Sequence, residues 1–372
     1  MSARNANCVS RFTILSLGFI LYLGSGIAVA NAAQSQFVNA NTETRSAGQG
    51  LEAAVQQVAS QSPQPVWLAY QVDSIGGNRS ACCDYHDDGD QNGWCGKCNL
   101  EKRPGDSVIR QNQNATVKLE QPSQVIVLLR VDQKRVMRIR LVSANCTLDA
   151  GGLRVVWLTD VKPAESVDLL ARYVREDGHA QDGDGLAEQA VMAIAQHADP
   201  SADRALANFV APDQPSWLRE KTSFWLGAAR GKSGVKLLEK MATSDPNGDV
   251  RAKVAFALFV SHEPEAVDDM LRMAKGDPEP HVRGQALFWL AQKAGQKASN
   301  AITAAIQNDP DTEVKKKAVF ALSQMPKDEG VPKLIEVAQN NHNPEVRKQA
   351  MFWLGQSNDP RALAFFEKIL SQ

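Results

Sequence analysis

The chain has 372 residues, 43% apolar and 22% charged, which suits two or three globular domains and excludes a disordered, collagen-like or multi-span membrane protein. A formal charge of −1 supplies no overall basic field for holding nucleic acid, so no nucleic-acid partner is expected.

Residues 1–33 have the form of a secretory signal. Arg4 and Arg11 make a positive start, 12–23 is an uncharged apolar run, and Ala30-Asn31-Ala32 is an A-x-A cleavage site. An uncleaved anchor would need 24–30 to join the apolar run. The expectation is an exported protein, periplasmic or extracellular, without a membrane span once the signal is removed. Residues 34–64 are rich in Gln, Asn, Ser and Ala and read as a flexible linker, with a helical turn or two at 51–55.

Residues 65–175 read as a small β-rich domain that carries cysteines and ends in a helix. The stretch 66–72 alternates like a strand, 125–131 is almost continuously apolar, Asp132-Gln133-Lys134 is a turn, and 135–142 alternates again. Met137, Ile139 and Leu141 should share one buried face, with Arg138 and Arg140 on the other. Arg130, Lys134, Arg135, Arg138 and Arg140 then form a basic outer face, either solvated or turned to an acidic partner. A strand at 153–158 precedes Pro163, which suits the first turn of a helix. Residues 176–185, rich in Gly and Asp, read as a hinge.

Five of the six cysteines, Cys82, Cys83, Cys95, Cys98 and Cys146, fall in the β-rich segment. In an exported domain the first expectation is disulfides, with one thiol left over and a pairing that sequence alone does not select. Adjacent Cys82 and Cys83 should take different partners, because a bond between neighbours is strained. Three sharper chemistries compete. Trp94-Cys95-Gly96-Lys97-Cys98 looks like a thioredoxin-type redox string, but its flanks lack the strand and helix that would depress a thiol pKa. Cys82, Cys83, Cys95 and Cys98 supply four thiolates, enough for a zinc site. Asp88, Asp90 and Asn92 open an EF-hand-like calcium loop, but position 12 would be Asn99 where a bidentate Glu is required. Asn78, Asn114 and Asn145 each begin an N-x-Ser/Thr sequon.

From 186 onward the sequence repeats every 32 residues. Leu218, Val250, Val282, Val314 and Val346 keep that step, as do Arg219, Arg251, Arg283, Lys315 and Arg347, and Phe224, Phe256, Phe288, Phe320 and Phe352. A second series, Leu206, Leu238, Met270, Ile302, Leu334 and Phe366, runs through six units. Asp245-Pro246, Asp277-Pro278, Asp309-Pro310 and Asn343-Pro344 stand before the first helix of their units, where Asp or Asn caps and Pro starts a helix. Each unit holds two amphipathic helices that cannot bury their apolar stripes alone, so six units stack into an α-solenoid over 186–372.

The string Asp-Pro-x-x-x-Val-Arg-x-x-Ala-x-x-x-Leu, seen around Val282-Arg283 and Val346-Arg347, resembles the short bacterial HEAT-like repeat. The resemblance implies a right-handed superhelix with first helices convex, second helices concave, and a binding role. Some HEAT-like proteins hydroxylate a modified lysine through several His-Glu metal pairs; this chain has one, His262-Glu263. Others attach bilins, for which no residue here argues.

The Phe series lies about 240° around the helix from the Leu218 position. It should pack against the next unit's first helix or form an exposed apolar ridge, with Phe256, Phe288 and Phe320 as contact candidates. The next position alternates Trp225, Ala257, Trp289, Ala321 and Trp353, large against small, as in a filled core. The basic series should link the turns of adjacent units. On the second helices, Lys236, Lys240, Arg272, Lys275, Gln307 and Glu336 are candidates for partner contact.

The function expected is a non-catalytic scaffold for another protein, with no cofactor. The alternative is a thiol-redox or zinc- or calcium-responsive sensor built on the cysteines, with the solenoid reading its state.

Overall fold

A computed structural model describes residues 36–75, 97–101, 123–144, 146–176, 185–293 and 296–371. The signal, Cys82, Cys83, Cys95, the three calcium-loop candidates and the three sequons lie outside those residues.

The N-terminal part comprises β1 (Phe37–Val38), β2 (Asn41–Ser46), α1 (Leu51–Gln61), β3 (Val66–Asp73), β4 (Lys97–Asn99), β5 (Gln124–Asp132), β6 (Arg135–Ser143), β7 (Thr147–Asp149), β8 (Arg154–Thr159) and α2 (Pro163–Glu176). Five strands form a mixed sheet in the order β2-β8-β3-β5-β6; β1, β7 and β4 form a second, three-stranded sheet. Both faces of the large sheet are buried. Leu68, Tyr70, Val127 and Leu129 face α1 and α2, while Trp67, Ala69, Ile126 and Leu128 face Leu100, Cys146 and Leu148 beside the small sheet. Burial on both sides explains the unbroken apolar run of β5.

Three expectations are corrected here. Residues 41–61 are an edge strand and a helix rather than a linker. β2 pairs in parallel with β8 from Asn41 opposite Arg154 to Ser46 opposite Thr159, and Leu51, Val55 and Val58 of α1 are buried. The polar surface of an edge strand gives it a linker's composition.

In the β5–β6 hairpin, Gln133 and Lys134 both take the positive φ a tight two-residue turn needs. Arg130 then pairs with Arg138 but Val131 with Val136, leaving Met137 as a bulge. The bulge shifts the alternation, so Val136 and Ile139 share the core and Met137 is 55% exposed.

The basic face is largely covered. Arg130 binds both carboxylate oxygens of Glu101, which also accepts from the Trp67 indole; Arg138 donates to the Leu100 carbonyl, and buried Arg140 to that of Asn99. Burial would raise the Glu101 carboxyl pKa, but hydrogen bonds from Arg130 and Trp67 hold it below its ordinary value. Arg135 and Lys134 remain exposed.

The solenoid runs through α3 (Leu186–Gln196), α4 (Pro200–Phe209), α5 (Ser216–Ala229), α6 (Gly231–Ser244), α7 (Gly248–Val260), α8 (Glu265–Gly276), α9 (Pro280–Lys293), α10 (Gln296–Asn308), α11 (Thr312–Ser323), α12 (Lys327–Asn340), α13 (Pro344–Gln356) and α14 (Pro360–Leu370). The helices pair as six units, and Asn247, Asp311 and Asn343 cap α7, α11 and α13 through their side chains.

The first unit is seated on the sheet domain; of the hinge expected at 176–185, residues 177–184 lie outside the described residues. α3 packs on α2 and β6, and one apolar core runs through both parts. The Ile139 amide donates to Gln189, that of Ile75 to the Gln196 carbonyl, and that of Ala198 to Asp73. At the seam lies a buried polar chain. The Ala193 carbonyl, 2.7 Å from His197 Nδ1, can only accept, so Nδ1 carries the proton. Nε2 therefore accepts from the Ser166 hydroxyl at 2.9 Å, and Tyr70 donates to Ser166 at 2.8 Å. All three side chains are buried, which makes this constellation a structural pin.

Burial depresses the His197 pKa, aided by Arg230 and opposed by the Ala193 hydrogen bond and by Asp199. The folded state therefore binds the proton more weakly than the unfolded one. His197 contributes stability above about pH 6.5 that is lost as pH falls through the depressed folded value. Comparing thermal unfolding of wild type and His197→Gln from pH 8 to 5 should show a steeper acid loss in wild type; parallel curves would remove this role from His197.

Candidate protein-interaction surface

The Val-Arg helices α5, α7, α9, α11 and α13 approach one another along their stack more closely than α6, α8, α10, α12 and α14 do along theirs. Gly227 permits one such approach: a Cβ there would lie 2.1 Å from the Ala257 carbonyl oxygen. A stack curves toward the side on which its members crowd, so the Val-Arg helices line the concave face. This reverses the sidedness implied by the resemblance, in which first helices were convex.

The turns on this stack are joined by a buried ladder. Arg219 donates through Nε and Nη2 to Asp245, Arg251 to Asp277, and Arg283 to Asp309, each pair spanning neighbouring units at 2.7–3.0 Å. Each carboxylate also accepts the amide two residues on, and Arg251 and Arg283 donate Nη1 to the carbonyls of Asp245 and Asp277. Burial would raise the Asp309 carboxyl pKa, but Arg283 and the Asp311 amide hold it below its usual value. At the next rung Lys315 turns to the Gln307 carbonyl and Asn341 replaces Asp, so the bidentate series stops. The recurring Arg series therefore joins turns, as its position suggested.

Above the ladder the Phe series forms a continuous aromatic stripe. Phe224 stacks on Phe256 at 5.9 Å, Phe256 meets Trp289 at 4.7 Å, Phe288 stacks on Phe320 at 5.7 Å, and Phe320 meets Trp353 at 4.9 Å. Edge contacts within a helix join Phe224 to Trp225, Phe288 to Trp289 and Phe352 to Trp353. The Trp–Ala alternation sets the pattern. Where the following unit carries Ala257 or Ala321, two phenylalanines stack directly; where it carries Trp289 or Trp353, the indole packs on the preceding Phe. Both expectations for the series are met in part, since the rings pack on the next unit yet stay half-buried, with Phe352 at 54% exposure.

Phe256, Phe288 and Phe320 therefore share one concave stripe. Phe259, outside the 32-residue series, joins it 4.8 Å from Trp289, and no periodicity pointed to it. Lys236, Lys240, Arg272, Lys275, Gln307 and Glu336 are exposed on α6, α8, α10 and α12, on the outer side, with Arg272 paired to Glu239 and Asp269. They are not brought together with the aromatic stripe. Asp269 itself is pushed up to about 6 by burial, against the pull of Arg272. His262-Glu263 lies between α7 and α8.

Cys98 and Cys146 are both disulfide-bonded and sit in the core beside the small sheet. Among the described residues, no three His, Cys, Asp or Glu side chains gather in a metal-holding group, and no helix is long and apolar enough to cross a membrane.

Fold and surface together define an α-solenoid of HEAT-like repeats seated on a small mixed-sheet domain. Residues 299–372 match the family model for HEAT repeats. Among solved structures, human deoxyhypusine hydroxylase in complex with glycerol is similar at 14% identity, covering 55% of this chain and 90% of that one, with a TM-score of 0.28. The YibA protein of Escherichia coli is similar at 17% identity, covering 55% and 76%, with a TM-score of 0.35. A mutant of Kap121p is similar at 13% identity, covering 51% and 25%, with a TM-score of 0.35. No curated protein matches the sequence.

Proposed function

We propose that this chain is an exported, non-catalytic scaffold that holds a partner protein along the concave face of its solenoid. The observation that carries the reading is the aromatic stripe on α5 to α13, continuous across units and half-exposed. Contiguous apolar surface rimmed by polar residues is costly to leave in water and is characteristic of interaction sites, where Trp and other aromatics contribute much of the binding energy. The signal-like segment 1–33 and the disulfide-bonded Cys98 and Cys146 support an oxidising compartment outside the cytosol.

The test is a photo-crosslinking amino acid placed at Phe352, on the inner face, and separately at Lys236, on the outer face, in the full chain expressed in its own host. A partner adduct should form from position 352 and not from 236. Equal adducts from both positions, or none from 352, would overturn the reading.

A further inference from the structure

Resting on that reading, we infer that the occupant of the concave face is an extended segment of a partner protein that presents one acidic residue and one apolar anchor for every two repeat units. The argument comes from an alternation that runs beside the aromatic stripe. Four residues before each Ala or Trp position, and so on the same side of the helix, stand Lys253, Gln285, Lys317 and Gln349. Lysine accompanies Ala257 and Ala321; glutamine accompanies Trp289 and Trp353. Lys221, the earlier member beside Trp225, is engaged by Glu188 at 2.8 Å.

Lys253 and Lys317 are exposed and, among the described residues, have no ion-pair partner. Neither acid one turn earlier pairs with them: Glu313 holds Lys316 at 3.0 Å, and Asp249 lies 3.3 Å from His281 Nε2. Room is kept for one of these lysines, since a Cβ on Gly284 would lie 2.4 Å from Lys317 Cδ. The surface thus reads, unit by unit, as a cation one helical turn from a Phe–Phe stack, then an amide one turn from an indole, then the same again.

Geometry sets the spacing of the occupant. Packed helices lie about 8–10 Å apart, so two units advance roughly 16–20 Å. An extended chain rises about 3.3 Å per residue and covers that span in about five to six residues.

The amides favour the extended form over a helix. Gln292, Gln324 and Gln356 stand four residues after Phe288, Phe320 and Phe352, so exposed carboxamides lie one turn from the rings. A carboxamide both donates and accepts, matching a peptide group, and an extended chain has peptide groups to offer where a helix has used its own. The unpaired lysines select acid.

The test uses fluorescein-labelled synthetic peptides of about 12 residues with the full chain, read by fluorescence anisotropy. The matched peptide has two six-residue blocks, each with one Phe and one Asp among Ser and Gly. One comparison peptide clusters the same Phe and Asp residues at one end; another carries Lys in place of Asp. The matched peptide should bind about tenfold or more tightly than either, and Lys253→Glu with Lys317→Glu should invert the preference between Asp and Lys peptides. Both lysines are exposed, so the variant keeps its fold. Equal affinity for matched and clustered peptides, an unchanged preference in the variant, or no binding by the matched peptide would each overturn the inference. A partner adduct at position 352 alongside any of these results would leave the scaffold reading standing and sink the inference alone; loss of that adduct would sink both.

Discussion

Asp277→Ala is expected to destabilise the middle of the solenoid by about 3–5 kcal/mol, because it strands the buried Arg251 guanidinium without its carboxylate. Asp277 accepts Arg251 Nε at 2.7 Å and Nη2 at 3.0 Å and also takes the Glu279 amide at 2.9 Å, so one truncation opens three charge-assisted bonds. Since each unit contacts only its neighbours, the loss falls on one interface. Denaturant unfolding followed by circular dichroism should become broader or biphasic as the units on either side uncouple. Arg251→Met in the same chain should recover about half of the loss by removing the stranded charge, while the Glu279 amide stays unserved. A cost below about 1 kcal/mol for Asp277→Ala would show that the rungs contribute little to cohesion.

The second large effect is graded along the aromatic stripe. Phe256 touches Phe224, Phe259 and Trp289, so Phe256→Ser should cost about 2–4 kcal/mol through lost packing. Phe352 meets only Trp353 among the ring contacts of the described residues and is 54% exposed, so Phe352→Ser should cost less than about 1 kcal/mol. Partner capture should nevertheless fall in Phe352→Ser, with the far-ultraviolet spectrum unchanged. A pattern in which both serine variants lose stability equally would make the stripe core alone and remove it as a binding surface.

The repeats were legible because their determinants are local. A 32-residue step carries its own caps, apolar stripe and Arg–Asp turn, and every residue that matters to a unit lies within one neighbouring unit. Sidedness was not legible in the same way. Which helices crowd depends on small residues such as Gly227 meeting Ala257, and the family resemblance assigned the two faces the other way round. That reversal moved Lys236, Lys240, Arg272, Lys275, Gln307 and Glu336 to the outer side and left Phe256, Phe288 and Phe320 inside.

In the sheet domain the misses were non-local. β2 is polar and finds its partner β8 more than a hundred residues later, and the Met137 bulge exists only relative to β5. The pin formed by Tyr70, Ser166 and His197 joins three elements that no sequence period relates.

The end of the bidentate series at Lys315 and Asn341 has a mechanical consequence. Units joined by paired rungs resist shear, since sliding one helix layer past the next must break two parallel bonds at once. Beyond the last rung the joint rests on apolar packing and single hydrogen bonds, and among the described residues Arg347 donates to the carbonyls of Asn341 and His342. The solenoid is therefore braced like a cantilever: clamped to the sheet domain at one end, cross-tied by paired rungs through its middle, and without them at the tip that carries Phe352. Displacing that tip breaks no bidentate rung, whereas sliding the middle units past one another breaks one at each joint.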